Sequence, residues 1–379
     1  MKKLLSVIVA LTLVLLAAAP ALAEAPKPVQ IGVISPNTGS LAAYGIAVSN
    51  GIKLAIEEIN AAGGVLGGRP LEAIAYMDDK ADSTEGANAF NKLVGDGAKA
   101  IIGSVTSGVT AGLATLATEQ NMLLLTATAT NDSITGPDKP TVFRACYKDS
   151  FQGLNAAKLA VDLGVKKVAV LYASGDAYSS GLYESFKAAS EELGLELVAT
   201  ESSSGVADTD YTTQLTNIAA SGAELIFAPY YYDTIGPYIV PQARAAGFTG
   251  YFAGADGWDG TTGTMVEDKT LYNKCFFVNH YSPDDPSEKV QNFVKAYTDK
   301  FGAESLNALA PLAYDSVYML AQAINAAGTD DTAAIVTAMK GMSFVGVTGA
   351  FTLDETGTPI KPVAFIEFVD GVAKFYKSI

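Results

Sequence analysis

The sequence predicts an α/β protein of two similar lobes, each a parallel sheet with helices on both faces. Three observations carry this reading. Short apolar runs alternate with helical patterns in two separate series, over residues 29–126 and 167–253. The 379 residues are too many for one core and comfortable for two. A final stretch breaks the rhythm and ends in a hairpin, which returns the chain to an earlier lobe.

In the first series, Val29–Ile34 reads as a buried strand. A helix follows over Tyr44–Ala62, with Val48, Ile52, Ala55, Ile56 and Ile59 on one face. Gly63 and Gly64 end it, and Leu66-Gly67-Gly68-Arg69-Pro70 makes the turn. Leu71–Tyr76 is a strand and Thr84–Gly95 a helix. Lys99–Gly103 is a strand, Gly108–Glu119 a helix and Met122–Thr126 a strand. In the second series, strands at Lys167–Ala173, Leu195–Thr200, Leu225–Ala228 and Tyr251–Ala253 alternate with helices. Those helices fall at Gly181–Leu193, Tyr211–Ser221 and Thr234–Ala246. Beyond them come a strand at Lys274–Asn279 and a helical stripe of Val290, Phe293, Val294, Tyr297 and Phe301. Helices at Ala310–Ala327 and Thr332–Lys340 follow. Val363–Tyr376 alternates around Asp370-Gly371, a hairpin signal.

The N-terminus has the three parts of a secretory signal. Lys2 and Lys3 precede an apolar run from Leu4 to Ala19, and Ala21-Leu22-Ala23 is a small-residue cleavage site. The run is short for a spanning helix. Residues 1–23 are therefore expected to be removed, with Glu24 the mature N-terminus. No cysteine near the cut offers a lipid anchor. Forty acidic residues stand against 25 basic ones, and loss of Lys2 and Lys3 takes the excess from 15 to 17. Such a surface repels nucleic acid and anionic lipid. Cys146 and Cys275 are the only cysteines, either a pair in an oxidising compartment or two buried free thiols. One histidine, His280, excludes a zinc site built from histidines, and no Cys-x-x-Cys pair replaces it. No phosphate-binding glycine motif occurs. His280 lies beside Tyr281-Ser282-Pro283 and reads as a loop histidine, exposed or hydrogen-bonded.

Ligands of open parallel sheets bind beyond the carboxyl ends of the strands. Ser104-Val105-Thr106-Ser107-Gly108 follows one strand and opens a helix, whose first amides can hold a carboxylate without any Arg or Lys. Ser107 serves equally as a plain N-cap. Thr126, Thr128 and Thr130 alternate along one side; Thr130 can offer a hydroxyl and an N–H while the Thr128 carbonyl accepts, or the run is ordinary turn chemistry. In the second series Tyr178, the run Tyr230-Tyr231-Tyr232 and Asp256 follow strands. Tyrosines there give apolar walls with polar tips, or core packing. Asp256, set between glycines in Gly254-Ala255-Asp256-Gly257, meets an ammonium group or simply forms a turn. Anion recognition in one lobe and cation recognition in the other is what a zwitterion requires. A hydrolase built on Asp256 or Asp176 lacks a second, suitably placed acid.

These residues resemble the branched-chain amino acid binding proteins of bacterial ABC uptake systems. The similarity covers nearly all of the mature chain. It rests on Val29–Ile34 with Thr38-Gly39 and Tyr44-Gly45, and on Ala61–Gly68 and Ile101-Ile102-Gly103. It continues through Ala129-Thr130-Asn131, Phe143-Arg144, Tyr178, Gln242-Ala243-Arg244 and Tyr314-Asp315. The resemblance implies the type I periplasmic-binding fold, two Rossmann-like lobes joined by a three-strand hinge and closing like a Venus flytrap. Residues 27–146 and 277–360 would form lobe 1, and 147–276 and 361–379 lobe 2, with crossings near Cys146, Cys275 and Lys361. Both cysteines would then sit on neighbouring hinge strands, where a disulfide is expected. By the same resemblance Ser107 and Thr130 bind the α-carboxylate of an amino acid, and the Thr128 carbonyl and Asp256 its ammonium. Tyr178 and Tyr232 reach in from lobe 2, with Tyr231 the alternative register, and Tyr44 lines the side-chain pocket. Asp256 stands where the family carries a longer glutamate. The family's cysteine pair in lobe 1 is missing, with Ala81 and Thr106 near those places. The expected protein is a periplasmic monomer without cofactor, metal or enzymatic activity, passing its ligand to an inner-membrane ABC permease. Binding of aromatic or other carboxylic acids or amides, or service as the sensing subunit of a receptor, are the alternatives.

Overall fold

The computed structural model describes residues 26–379; the signal segment expected over residues 1–23 lies outside them. Among the described residues no helix is long and apolar enough to cross a membrane. Among the described residues the two larger sheets repeat one plan. The first is wholly parallel, in the order β2-β1-β3-β4-β5. Its strands are β1 (Val29–Ser35), β2 (Leu71–Asp78), β3 (Ile101–Ile102), β4 (Leu124–Thr126) and β5 (Val142–Arg144). The second contains β6 (Lys167–Ala173), β7 (Glu196–Ser203), β8 (Leu225–Phe227), β9 (Tyr251–Gly254) and β10 (Cys275–Asn279). They run in the order β7-β6-β8-β9-β10, all parallel. A C-terminal hairpin, β13 (Ala364–Val369) and β14 (Val372–Ser378), adds antiparallel strands beside β10. In each sheet the order reverses between the first strand and the third. That switch point opens a crevice at the carboxyl ends of the strands.

Strands buried on both faces need continuous apolar runs, and Val29, Ile31, Val33 and Ile34 are fully buried, as are Val168, Val170 and Leu171. Helix Ala42–Ala61 packs against helix Leu309–Ala327 on the first sheet. Helix Asp149–Asp162, which the sequence pattern does not reveal, packs against helix Ala177–Leu193. Its buried face is built from Gln152, Gly153, Asn155, Ala156, Ala157, Leu159 and Ala160, too small and polar for an apolar stripe. Gly153 is needed there, because a Cβ would come within 2.7 Å of the Phe186 backbone nitrogen. The short β5 and the hairpin β11 (Ser343–Gly346) with β12 (Gly349–Thr352) are two further elements without a clear sequence pattern.

The chain passes between the sheets after β5, after β10 and between β12 and β13. The second passage falls later than the sequence reading placed it. β10 pairs with β13 from Cys275 through Asn279, so Cys275 and Phe277 both belong to the second sheet. The expected disulfide is absent: both cysteines are free and buried. Cys146 donates to the Ala129 carbonyl at 3.2 Å, whereas Cys275 faces Arg244 in the core of the second lobe. Burial pushes both thiols up to about 12 and keeps them protonated.

Candidate functional site

The loops at both switch points meet across one cleft. From the first lobe, β3 leads directly into helix Ser107–Glu119. Thr106 sits at its N-cap with extended backbone (φ −82°, ψ 145°), and no side chain caps the helix. The first-turn amides therefore lack a side-chain partner where Val105, Thr106 and Ser107 line the cleft, and they carry the partial positive charge of a helix start. Ser107 Oγ accepts from the Asn131 amide at 3.2 Å. Thr126 Oγ1 and Thr128 Oγ1 donate to the carbonyls of Ser104 and Val105, fastening the β4 loop to the β3 loop. The Thr130 hydroxyl is buried at the cleft beside the Asp149 carboxyl, whose pKa burial holds well above the usual carboxylate range.

Arg144 holds this loop from behind. It is fully buried. Nη1 donates to the carbonyls of Ala129 and Thr130, and Nη2 to the Asn131 carbonyl and Thr135 Oγ1. Its place follows from register, since Arg144 lies opposite Thr126 in the β4–β5 pair.

From the second lobe, Asp176 caps helix Ala177–Leu193 by accepting from the Ser179 amide at 2.8 Å, which sets Tyr178 in the first turn. The turn Asp256–Trp258 follows β9 and is anchored by the Trp258 indole donating to the Ala228 carbonyl. Asp256 is buried and held by three side chains. Tyr178 donates to Oδ1 at 2.9 Å, Gln152 Nε2 to Oδ1 at 3.1 Å, and His280 Nε2 lies 2.9 Å from Oδ2. The Asp256 amide returns a bond to Gln152 Oε1, and the Gly257 amide donates to the Tyr178 oxygen. Gly257 is required, as a Cβ would come within 2.7 Å of the Tyr178 hydroxyl.

The lobes are closed on each other. Tyr44 donates to the Gly257 carbonyl, Asn131 Nδ2 to the Ala177 carbonyl and Tyr232 to the Ser40 carbonyl. Between them lies a cavity lined by Tyr44, Val105, Thr106, Ser107, Thr128, Thr130, Tyr178, Tyr231, Asp256, Gly257 and Leu309. Asp256 is the one charged residue of that lining. Burial raises the pKa values of Tyr44, Tyr178 and Tyr231 well above the usual phenol value, so all three remain hydroxyls.

Six of the seven residues expected at the site, Tyr44, Ser107, Thr128, Thr130, Tyr178 and Asp256, come together here. The seventh, Tyr232, does not. The strand end splays the three tyrosines apart: Tyr230 turns into the core to meet Ser203, and Tyr231 enters the cavity and stacks on Tyr178 at 5.1 Å. Tyr232 packs outside against Tyr44. Sequence reasoning missed Gln152 and read His280 as a loop histidine, exposed or hydrogen-bonded; it follows the strand and is hydrogen-bonded, at the site. Gln152 belongs to the helix that pattern did not reveal. His280 is buried and stacks on Tyr147 at 3.8 Å. Burial pushes its pKa down to about 4, and Lys361 acts in the same direction against the pull of Asp256. The available signal was its place directly after the buried strand Cys275–Asn279.

Fold and site together define a two-lobed protein that closes on a small ligand. The chain belongs to the periplasmic binding protein family, which it matches over residues 28–373. It is 31% identical over 338 residues to the Leu/Ile/Val-binding protein homolog 3 of Brucella melitensis, covering 88% of this chain and 89% of that one. Among solved structures it is similar to the leucine-binding protein LivK of Thermotoga maritima. The two share 32% identity with a TM-score of 0.85, over 93% of this chain and 98% of that one. It is similar, too, to LivJ of Streptococcus pneumoniae in complex with isoleucine, at 30% identity and a TM-score of 0.83, over 93% of this chain and 99% of that one.

Proposed function

We propose that the protein captures an aliphatic α-amino acid, a branched-chain one above all, in the periplasm and delivers it to an ABC permease of the inner membrane. One observation carries the reading. An uncapped helix start and the Thr130 hydroxyl face, across a closed cleft, Asp256, the one carboxylate that lines the cavity. An α-carboxylate fits the first and an ammonium the second. The ligand docks on Ser107 and Thr130 of the open first lobe, with the Thr128 carbonyl accepting one ammonium hydrogen. Closure then brings Tyr178, Tyr231 and Asp256 onto it. Its greater affinity for the closed form drives the motion, and no bond is made or broken. Residues 1–23 act as the cleaved export signal. The names of the relatives, and the isoleucine bound to a neighbour, support an amino acid with a branched side chain. Val105, Leu309 and Tyr44 supply apolar surface for it.

A second reading is a carboxylic acid without an amine. It is favoured by Asp256 already accepting from Tyr178 and Gln152, with His280 Nε2 2.9 Å from its other oxygen. A thermal-shift screen of residues 24–379 against amino acids, benzoates and aliphatic acids separates the two. A specific ligand at a hundredfold excess over its dissociation constant adds ~2.7 kcal/mol of stability. Leucine, isoleucine or valine is expected to raise the melting temperature, and the acids at the same concentration to move it far less. Shifts confined to the acids would overturn the amino-acid reading.

A further inference from the structure

The inference rests on the amino-acid reading of the cleft. An ionised carboxylate offers about four acceptor positions, two on each oxygen. On Asp256, Tyr178 and Gln152 fill both positions of Oδ1, and His280 fills one of Oδ2. The vacant position is on the oxygen that His280 holds. The proton on His280 is also fixed by geometry. Nδ1 is buried without a partner, so a proton there would be an orphaned donor. It would also leave a bare Nε2 facing a carboxylate oxygen at 2.9 Å, two acceptors in contact. A neutral ring protonated on Nε2 satisfies both constraints. Its stacking on Tyr147 keeps the ring in this plane, and it is absent from the residues lining the cavity.

We propose that His280, as the Nε2–H tautomer, is the positioning residue for ammonium recognition: it orients Asp256 so that one lone pair of Oδ2 is presented to the ligand's amine. His280 touches Asp256 and not the ligand, so its effect is confined to ligands that carry an amine. Gln152 and Tyr178 fix the other oxygen.

His280 is the only histidine in the chain, so its resonances need no assignment. In nitrogen-detected NMR of the whole mature protein, the ring is expected to carry its proton on Nε2, and saturation with leucine should move that resonance. Calorimetry then compares leucine with 4-methylpentanoate, the same skeleton without the amine. His280→Phe keeps the stacked ring and loses the donor. It should weaken leucine binding by about 10- to 100-fold, the effect of one hydrogen bond to a charged group, while 4-methylpentanoate changes less than about twofold. His280→Gln, which retains an N–H at a similar reach, should recover most of the loss. Unchanged leucine affinity in His280→Phe, equal losses for both ligands, or a proton found on Nδ1 would each overturn the proposal while leaving the amino-acid reading standing. A wild-type protein that binds no α-amino acid would overturn both.

Discussion

Replacing Asp256 by alanine should weaken leucine binding by ~2–5 kcal/mol, the usual result of leaving a buried charge without its partner. That is a loss of about thirtyfold or more in affinity. The closed cleft gives the ammonium no other anionic contact, since Asp256 is the sole charged residue lining the cavity. Asp256→Asn keeps the size and removes the charge, and should lose nearly as much. Trp258, the only tryptophan, lies two residues away and reports the titration by fluorescence. Binding of 4-methylpentanoate should survive both substitutions. Wild-type leucine affinity in Asp256→Ala would place the ammonium elsewhere.

Arg144→Met should be the most damaging substitution behind the site. The guanidinium serves four acceptors, the carbonyls of Ala129, Thr130 and Asn131 and the Thr135 hydroxyl. Methionine fills much of the volume and donates nothing. The three carbonyls keep second donors in the Cys146 thiol and the Asp149 and Ile134 amides, so what is lost is the set of hydrogen bonds from a charged donor, roughly 1.5–3 kcal/mol each and several kcal/mol together. Urea unfolding should show it as a lower midpoint with the slope little changed. Because the same carbonyls shape the loop that presents Thr128 and Thr130, leucine affinity should fall as well. A destabilisation below about 1 kcal/mol would mean that the loop holds its shape without the guanidinium.

The two predictions touch the two lobes, and they differ in how far each lobe's chemistry was legible. In a parallel sheet, sequence position almost dictates function, because strand ends open onto the crevice. Ser107 and Thr130 are legible for that reason, each following a short apolar strand. Asp256 is legible because β9 is a distinct apolar run with a glycine-flanked acid after it. The tyrosine run was harder. Alternation alone makes Tyr230 and Tyr232 equivalent, yet the chain leaves the strand at Phe227 and starts a helical turn at Tyr232, which breaks the period and gives the cavity to Tyr231. Gln152 left no trace, since a helix that packs through glycine and alanine lacks the apolar stripe from which helices are read. The support of Asp256 is thus assembled from segments over a hundred residues apart, a tertiary fact with no local pattern. The expected disulfide failed for a related reason. Cys146 and Cys275 point into different cores, and direction is not visible in spacing.

Capture of a zwitterion by its two ends is the central claim, and truncated ligands test it most directly. Calorimetry of residues 24–379 should compare leucine with 4-methylpentanoate, which lacks the amine, and 3-methylbutylamine, which lacks the carboxylate. Two-ended recognition predicts that leucine binds and that each truncation loses about a hundredfold or more, as expected when a closed site leaves its polar groups unpaired. Equal affinity for leucine and 4-methylpentanoate would contradict it, and would make Asp256 a structural residue of the second lobe rather than a ligand contact.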